Sequence, residues 1–481
     1  MLTSKLALAH SLNLRIEIPS AARNLLFAVC FLGTAHAQTS LPTAPAPQIA
    51  WNLQQSSMPT QSAAPGTTQT AAMPPGTMQL TLREAEQLAL KNNPRISAAQ
   101  LLALAQEQIV RETRAAELPN VVANLTAVEP HEGSRIAAGG LNNPIIFERA
   151  AGGVTLGQLI TDFGRTRNLV ASSNLRAQAQ YQTQLATAAD ITLAVDEAFY
   201  GALRAQSLLN VAEATVSARQ TFADRVQALF NSKLKSQLDL SFANVNASQA
   251  RLLLLDSQNA KAAAFANLNA LLGFEKQQTY TLTDESAAPA WPLPQKLEEL
   301  VASAFSSRPD LAALNDQFEA EERLRRAEHD LMFPTVSALG TVGDTPVRAD
   351  QLSPWFGAVG VNVGIPLFNG FAYSARSREA DYRAQAAQQQ VRDLRNRISR
   401  DVQLAFLSAQ QAFERIAVSK QMLDQANLAL DLAQTRYNLG LSSIVELSQA
   451  QLQQTEAAVG ATNAHYDFAE AISALRYQTG H

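Results

Sequence analysis

Cysteine is all but missing from this 481-residue chain, Cys30 being the only one. It sits inside the apolar run 24–33, so no disulfide framework exists and thiol chemistry has no place in the rest of the chain. Histidine is nearly as scarce. His10 and His36 lie in the first forty residues, and His131, His329, His465 and His481 have no neighbour at ligand spacing, so no metal site is implied. Positive charge is not in excess either. A net charge of −4 and a pI near 5.9, with no basic stripe, argue against binding to nucleic acid. Beyond residue 40 no run of eighteen apolar residues occurs, which excludes a membrane-spanning hydrophobic helix there but not a β-barrel. Nucleophile elbow, P-loop and dinucleotide fingerprint are all absent, so neither an enzyme nor a cofactor is expected.

What is present is a large, foldable chain, 47% hydrophobic and 17% charged. It opens with Arg15 and Arg23 before the run NLLFAVCFLG and the small-x-small pattern Ala35-His36-Ala37, which predicts a secretory signal peptide over 1–37 and a mature start at Gln38. Val29 and Phe27 do not fit a lipobox around Cys30. Residues 38–78, rich in Pro, Ala, Thr and Gln, read as a disordered linker.

From there the chain repeats itself. LREAEQLALKNNPRISAAQ at 82 and LEELVASAFSSRPDLAALN at 297 align at a constant shift of 215, with Pro94 on Pro309 and Pro119 on Pro334. The match resumes at a shift near 207, where Phe199 meets Phe406 and Leu238-Asp239-Leu240 meets Val445-Glu446-Leu447. Two repeats follow, 79–285 and 286–481, each a helix, a β-hairpin and a long helical hairpin. Between Pro144 and Pro289, and again after Pro366, proline is absent. Apolar residues there keep an alternating 3, 4 spacing, from Val195 to Phe230 with an interruption at Arg219, and from Val402 to Tyr437. Coiled-coil helices over 164–231 and 371–439 would each be about 100 Å long at ~1.5 Å per residue.

The strands obey another rule. Val359, Val361, Val363, Ile365 and Leu367 alternate with small or polar residues, with Trp355 at the start, as in a barrel strand facing lipid. Segments near 121–128, 154–160 and 336–342 alternate less cleanly, and 129–149 and 343–354 read as exposed loops. Four strands cannot close a transmembrane barrel. Two copies would give eight strands and a filled interior, three copies twelve strands and a lumen.

The duplicated plan resembles the TolC-like outer-membrane efflux protein family. The resemblance rests on the openings at 82–94 and 297–309, the Phe-Gly and Phe-Asn-Gly entries at 163–164 and 368–370, and RYNLGLSSIVELSQAQ at 436–451. It implies a mainly helical fold with a small β part: a homotrimer in outer-membrane lipid, with a twelve-stranded barrel continued by a periplasmic α-helical barrel. A periplasmic adaptor and an inner-membrane pump are the implied partners. Drug efflux, metal efflux and type I protein secretion all use such exits, and a soluble periplasmic coiled-coil scaffold or an adaptor is the alternative outside the family.

The hairpin turns carry the candidate site. Lys233, Leu234 and Ser236 reverse the first long hairpin, and Gly440, Leu441, Ser442 and Ser443 the second, forming the expected adaptor-docking tips. Ser443-x-x-Glu446 has capping-box spacing, and Ser236-x-x-Asp239 is its aspartate analogue. The resemblance places Asp239, Glu446 and Tyr437 at the periplasmic gate. Gln449 takes the position of a second carboxylate ring, and Ser442 the position of an arginine that ties the closed state in some members, so that tether is not supplied here.

Overall fold

The computed structural model describes residues 78–131, 147–276, 278, 280–284 and 296–480. The expected signal peptide, and all of the expected linker except Met78, lie outside these residues.

The first half runs β1 (Met78–Leu80), α1 (Leu82–Asn92), α2 (Pro94–Arg114), β2 (Asn120–Val128), β3 (Arg149–Thr161), α3 (Arg165–Asn231) and α4 (Gln237–Leu271). The second follows the same order as β4 (Tyr280–Leu282), α5 (Leu297–Ser307), α6 (Pro309–His329), β5 (Thr335–Arg348), β6 (Trp355–Gly364), α7 (Ala372–Asn438) and α8 (Ile444–Thr479). α3 and α7 have 67 residues each, as the proline-free stretches predict. Of the seam positions, Val195, Ala202, Ala212 and Val226 on α3, and Val402, Ala409, Ala433 and Tyr437 on α7, are buried. Alanine dominates the seam, which lets the helix backbones approach closely.

Shorter helices stack end to end along the long ones, α2 above α4 and α6 above α8. Each joint is made by a helix-terminating glycine in the left-handed region. Gly273 (φ +75°) turns against Asn92, and Gly480 (φ +79°) against Ser307; an added Cβ would lie 2.7 Å from the Asn92 carbonyl oxygen and 2.8 Å from Ser307 Cβ. Across the first joint Asn93 Nδ2 donates to the Leu271 carbonyl at 2.9 Å, and across the second Arg308 Nη1 donates to Gln478 Oε1 at 2.6 Å. Around these joints lies a belt. β1 and β4 pair in parallel there, and α1 packs Ala85 and Ala89 into a core with Ile191, Phe199, Leu268 and Tyr280.

Both long helices begin at an abrupt reversal from a strand. Phe163 and Gly164 both have positive φ, as do Gly370 and Phe371, so each reversal has one glycine and one phenylalanine in opposite order. The first is the Phe-Gly segment singled out in the sequence, and the second begins at the glycine of the Phe-Asn-Gly segment and runs one residue past it.

The four long strands form an antiparallel sheet in the order β2-β3-β5-β6. Its register sorts side chains that the individual strands do not. Val121, Leu156, Gly340 and Val359 line up across the sheet, and beside them Ala123, Val154, Val342 and Gly357. On the opposite face Val122, Thr155, Thr341 and Ala358 line up, and Asn124 Nδ2 donates to Thr155 Oγ1. One face is therefore mostly apolar, interrupted by Gln158 and Asp344, and strongly exposed, Leu125 at 91% and Val359 at 93%. On the other, the Phe356 ring lies over Gly343 and Gly153, where any Cβ would collide with it.

Three boundaries differ from the sequence reading. β5 runs on to Arg348 through residues expected as loop, because Gly343 and Asp344 pair with Phe356 and Trp355 on one side and Arg348 pairs with Arg149 on the other. Arg149, expected at the end of a loop, thus opens β3. β6 ends at Gly364, short of Ile365 and Leu367, since Pro366 has no N–H to continue the ladder.

Candidate functional site

The two hairpin tips are built alike. After α3 the N–H of Leu234 bonds to the Leu229 carbonyl at 2.9 Å, and after α7 that of Leu441 bonds to the Arg436 carbonyl at 2.8 Å, the six-to-one bond of a Schellman turn. The left-handed residue in these turns is Lys233 (φ +62°) in one and Gly440 (φ +74°) in the other. Leu234 and Leu441, next in each turn, are 71% and 67% exposed. Apolar side chains at the extreme end of a long hairpin, held by a rigid turn, make a surface suited to docking.

The helices leaving the turns are capped unequally. Ser236 and Asp239 form a complete capping box: the Asp239 N–H donates to Ser236 Oγ at 3.1 Å, and the Ser236 N–H donates to Asp239 Oδ2 at 3.0 Å. At the second tip the box is only half made. The Glu446 N–H donates to Ser443 Oγ at 3.3 Å, but the Glu446 carboxylate does not return to the Ser443 backbone. It points instead to Arg436 on the last turn of α7, with Nε 3.6 Å away. The capping-box expectation for Glu446 is corrected accordingly, and its carboxylate is free of the cap.

Asp239 performs a second task with its other oxygen. Oδ1 accepts the Tyr437 hydroxyl at 3.3 Å, joining α4 of the first hairpin to α7 of the second. Lys235 Nζ stands 3.8 Å above the Tyr437 ring centroid, and the Phe222 ring packs 5.7 Å away. Tyr437 is thus enclosed in the tip core with Val226, Leu240, Ile444 and Leu447. Burial pushes its phenol up to about 12, with Asp239 adding to the rise, so it remains a hydrogen-bond donor. Burial alone would raise the Asp239 carboxyl, but the Ser236 hydroxyl and N–H, Lys235 and Tyr437 together hold it below its ordinary value. Of the expected gate residues, Asp239 and Tyr437 meet directly, Glu446 lies at the adjoining turn, and Gln449 is exposed on α8.

Several turns from the tip lies a polar set that sequence reasoning missed. Arg219 is buried, and its Nη2 donates to the Gln451 carbonyl at 2.6 Å and to Thr455 Oγ1 at 3.2 Å. Asn246 Nδ2 donates to Ser448 Oγ at 2.9 Å and to Gln451 Oε1 at 3.3 Å. These bonds run from α3 and α4 to α8, again from one hairpin to the other. The one available signal was the break that Arg219 makes in the apolar seam.

The arrangement has relatives. A model of the family described as outer membrane efflux protein matches residues 86–274 and 300–481. The outer membrane efflux protein BepC of Brucella suis is 22% identical over 404 residues, covering 83% of this chain and 85% of that one. Among solved structures, a membrane protein from Pseudomonas aeruginosa has a TM-score of 0.75 at 20% identity, covering 83% of this chain and 90% of that chain. The outer membrane protein VceC of Vibrio cholerae has a TM-score of 0.72 at 19% identity, covering 83% and 96% respectively. With two matched segments that span most of its length, one in each repeat, the chain belongs to the outer membrane efflux protein family, and it is an efflux duct of the outer membrane that extends into the periplasm.

Proposed function

We propose that three copies of this chain close a twelve-stranded barrel in the outer membrane, and that their helices form a periplasmic tunnel closed at the hairpin tips and opened by an adaptor and an inner-membrane pump. The observation that carries this reading is the four-stranded sheet. Among the described residues β2 and β6 each have one unpaired edge, and one face is mostly apolar. Exposed strand edges in hydrocarbon leave backbone donors and acceptors unsatisfied, so the sheet needs further copies to close. Four strands per copy make three copies the smallest number that leaves a lumen. Small molecules are the proposed cargo, and the duct itself supplies no energy.

The tips are the proposed docking surface and gate. Leu234 and Leu441 offer apolar contacts, and the Tyr437–Asp239 bond holds the two hairpins of one copy together. Native mass spectrometry of detergent-extracted protein is the test of assembly: a trimer is expected, and a stable monomer would remove the conduit. Docking is tested with Gly440→Glu. An added Cβ at residue 440 meets nothing, and Lys233 occupies the same backbone conformation, so the variant should insert as a trimer while efflux is lost. Unchanged efflux would place adaptor docking elsewhere.

A further inference from the structure

The belt contains a carboxyl that no part of the gate uses. Asp196 on α3 is 7% exposed, and its Oδ1 is enclosed with no hydrogen-bond partner among the described residues. It lines a cavity of about 680 Å³ together with Glu86 of α1, Ser473 and Arg476 of α8, and the α5–α6 junction. Bringing α1 onto α3 therefore sets two carboxyls against each other in a poorly solvated place.

The other charged groups around the cavity are largely committed elsewhere. Asp190 accepts the Tyr477 hydroxyl. Asp310 is paired with Arg308, Nη2 to Oδ2 at 2.7 Å. Asp284, beyond β4, accepts the Tyr466 hydroxyl at 3.0 Å. Tyr200, one turn on from Asp196, is a neutral phenol pushed further up by burial and by Asp196. Arg476 remains, an exposed guanidinium that lines the same cavity and opposes the rise at Asp196. Two carboxylates against one solvated cation leave one negative charge in excess, and a single proton removes it.

We propose that Asp196 and Glu86 form a proton-binding site at the joint between the belt and the helical barrel, and that loss of its proton loosens α1 from α3. Burial pushes the Asp196 carboxyl up to about 7; Ser473 opposes the rise and Glu86 adds to it. An aspartate that becomes solvated when α1 detaches reverts to about 3.9. The attached state then holds one more proton than the detached state between those two values. Attachment is strongest at acid pH, weakens as pH rises toward 7, and is level above it. A periplasmic joint of this kind would respond to the pH of the surroundings.

The site is about 50 Å from the tip, taking ~1.5 Å per residue along α3, so it can be read separately from the gate. Hydrogen–deuterium exchange of the assembled protein at pH 5, 6, 7 and 8, corrected for intrinsic exchange rates, measures opening of residues 82–92. Wild type should open about tenfold more readily per pH unit between 5 and 7 and then level off. Asp196→Asn should show no such slope, and Glu86→Gln should move the break to lower pH without abolishing it. A flat wild-type profile, or an unchanged slope in Asp196→Asn, would overturn the proposal. Should the asparagine variant fail to fold, infrared titration of wild type remains decisive: a protonated carboxyl band that disappears around neutral pH supports the site, and its absence at pH 6 refutes it.

Discussion

Tyr437 on α7 gives its hydroxyl proton to Asp239 on α4 across 3.3 Å, and the face of the same ring takes the Lys235 ammonium at 3.8 Å. One side chain of the second hairpin thus engages a cation and an anion of the first. Since the phenol is pushed up to about 12 and the carboxyl is held low, both partners keep their form throughout the neutral range. Tyr437→Phe removes the bond but keeps the ring against Phe222 and Lys235. A neutral-to-charged hydrogen bond of about 1.5 kcal/mol corresponds to roughly a tenfold shift toward the open state per copy. Planar-bilayer recordings should show that rise between pH 5 and 9 alike. Conductance indistinguishable from wild type would mean the bond does not hold the gate.

Lys233 and Gly440 provide a matched test of turn strain. A non-glycine residue in the left-handed region costs about 1–2 kcal/mol, offset by up to ~1 kcal/mol because glycine is freer in the unfolded chain. Lys233→Gly should therefore raise the melting temperature slightly, and Gly440→Lys should lower it. The informative quantity is the opposite sign, measured by calorimetry on the detergent-solubilised protein. Equal signs would show that the side chains, not the backbone, decide these positions.

The long helices were legible because their signals are local and redundant. Absence of proline and the 3, 4 spacing set the ends of α3 and α7 to within about a residue, and the serine caps at Ser236 and Ser443 mark the starts of α4 and α8. The strands were legible only in part. β6 alternates on its own, whereas β3 and β5 place Gly152, Gly157 and Gly340 among their valines, and their apolar face emerges only when Val121, Leu156, Gly340 and Val359 are aligned across the sheet. β1 and β4 were not legible at all, since three residues in a parallel pair leave no periodic trace. The partners of Arg219 and the retreat of Glu446 from its cap depend on contacts between distant segments, which spacing does not encode.

Arg219 offers a test of what a buried cation does in a coiled coil. Burial pushes it down to about 10, which still leaves it charged at neutral pH, and no carboxylate among the described residues forms a salt bridge with it. A buried charge held only by neutral oxygens is costly, and replacement by an apolar side chain of similar length is often neutral or stabilising. Arg219→Met should thus leave thermal stability unchanged or raise it. Arg219→Ala should lower it by roughly 2 kcal/mol or more through the space it leaves. Equal losses from both would show that the bonds to Gln451 and Thr455 outweigh the burial of the charge.

The unequal caps separate structure from ion selection at the entrance. In a trimer Asp239 and Glu446 would bring six carboxylates to one opening, a ring that favours cations and admits multivalent ions as plugs. Asp239 also caps α4 and holds Tyr437, so its replacement disturbs both fold and charge. Glu446 is simpler, because its carboxylate makes no cap and, among the described residues, pairs with Arg436 at 3.6 Å on an exposed part of the turn. An exposed pair of this kind contributes at most about 1 kcal/mol. Glu446→Gln should therefore leave the melting temperature within about a degree or two while weakening cation selectivity and block by multivalent cations. Asp239→Asn should do the same to selectivity and also raise conductance, since the amide accepts from Tyr437 less strongly than a carboxylate does. Reversal potentials and multivalent-ion block in planar bilayers, beside calorimetry of the same preparations, distinguish the cases. If Glu446→Gln keeps wild-type selectivity, the residue lies away from the ion path and the ring is made by Asp239 alone; if both variants keep it, the entrance carries no carboxylate ring.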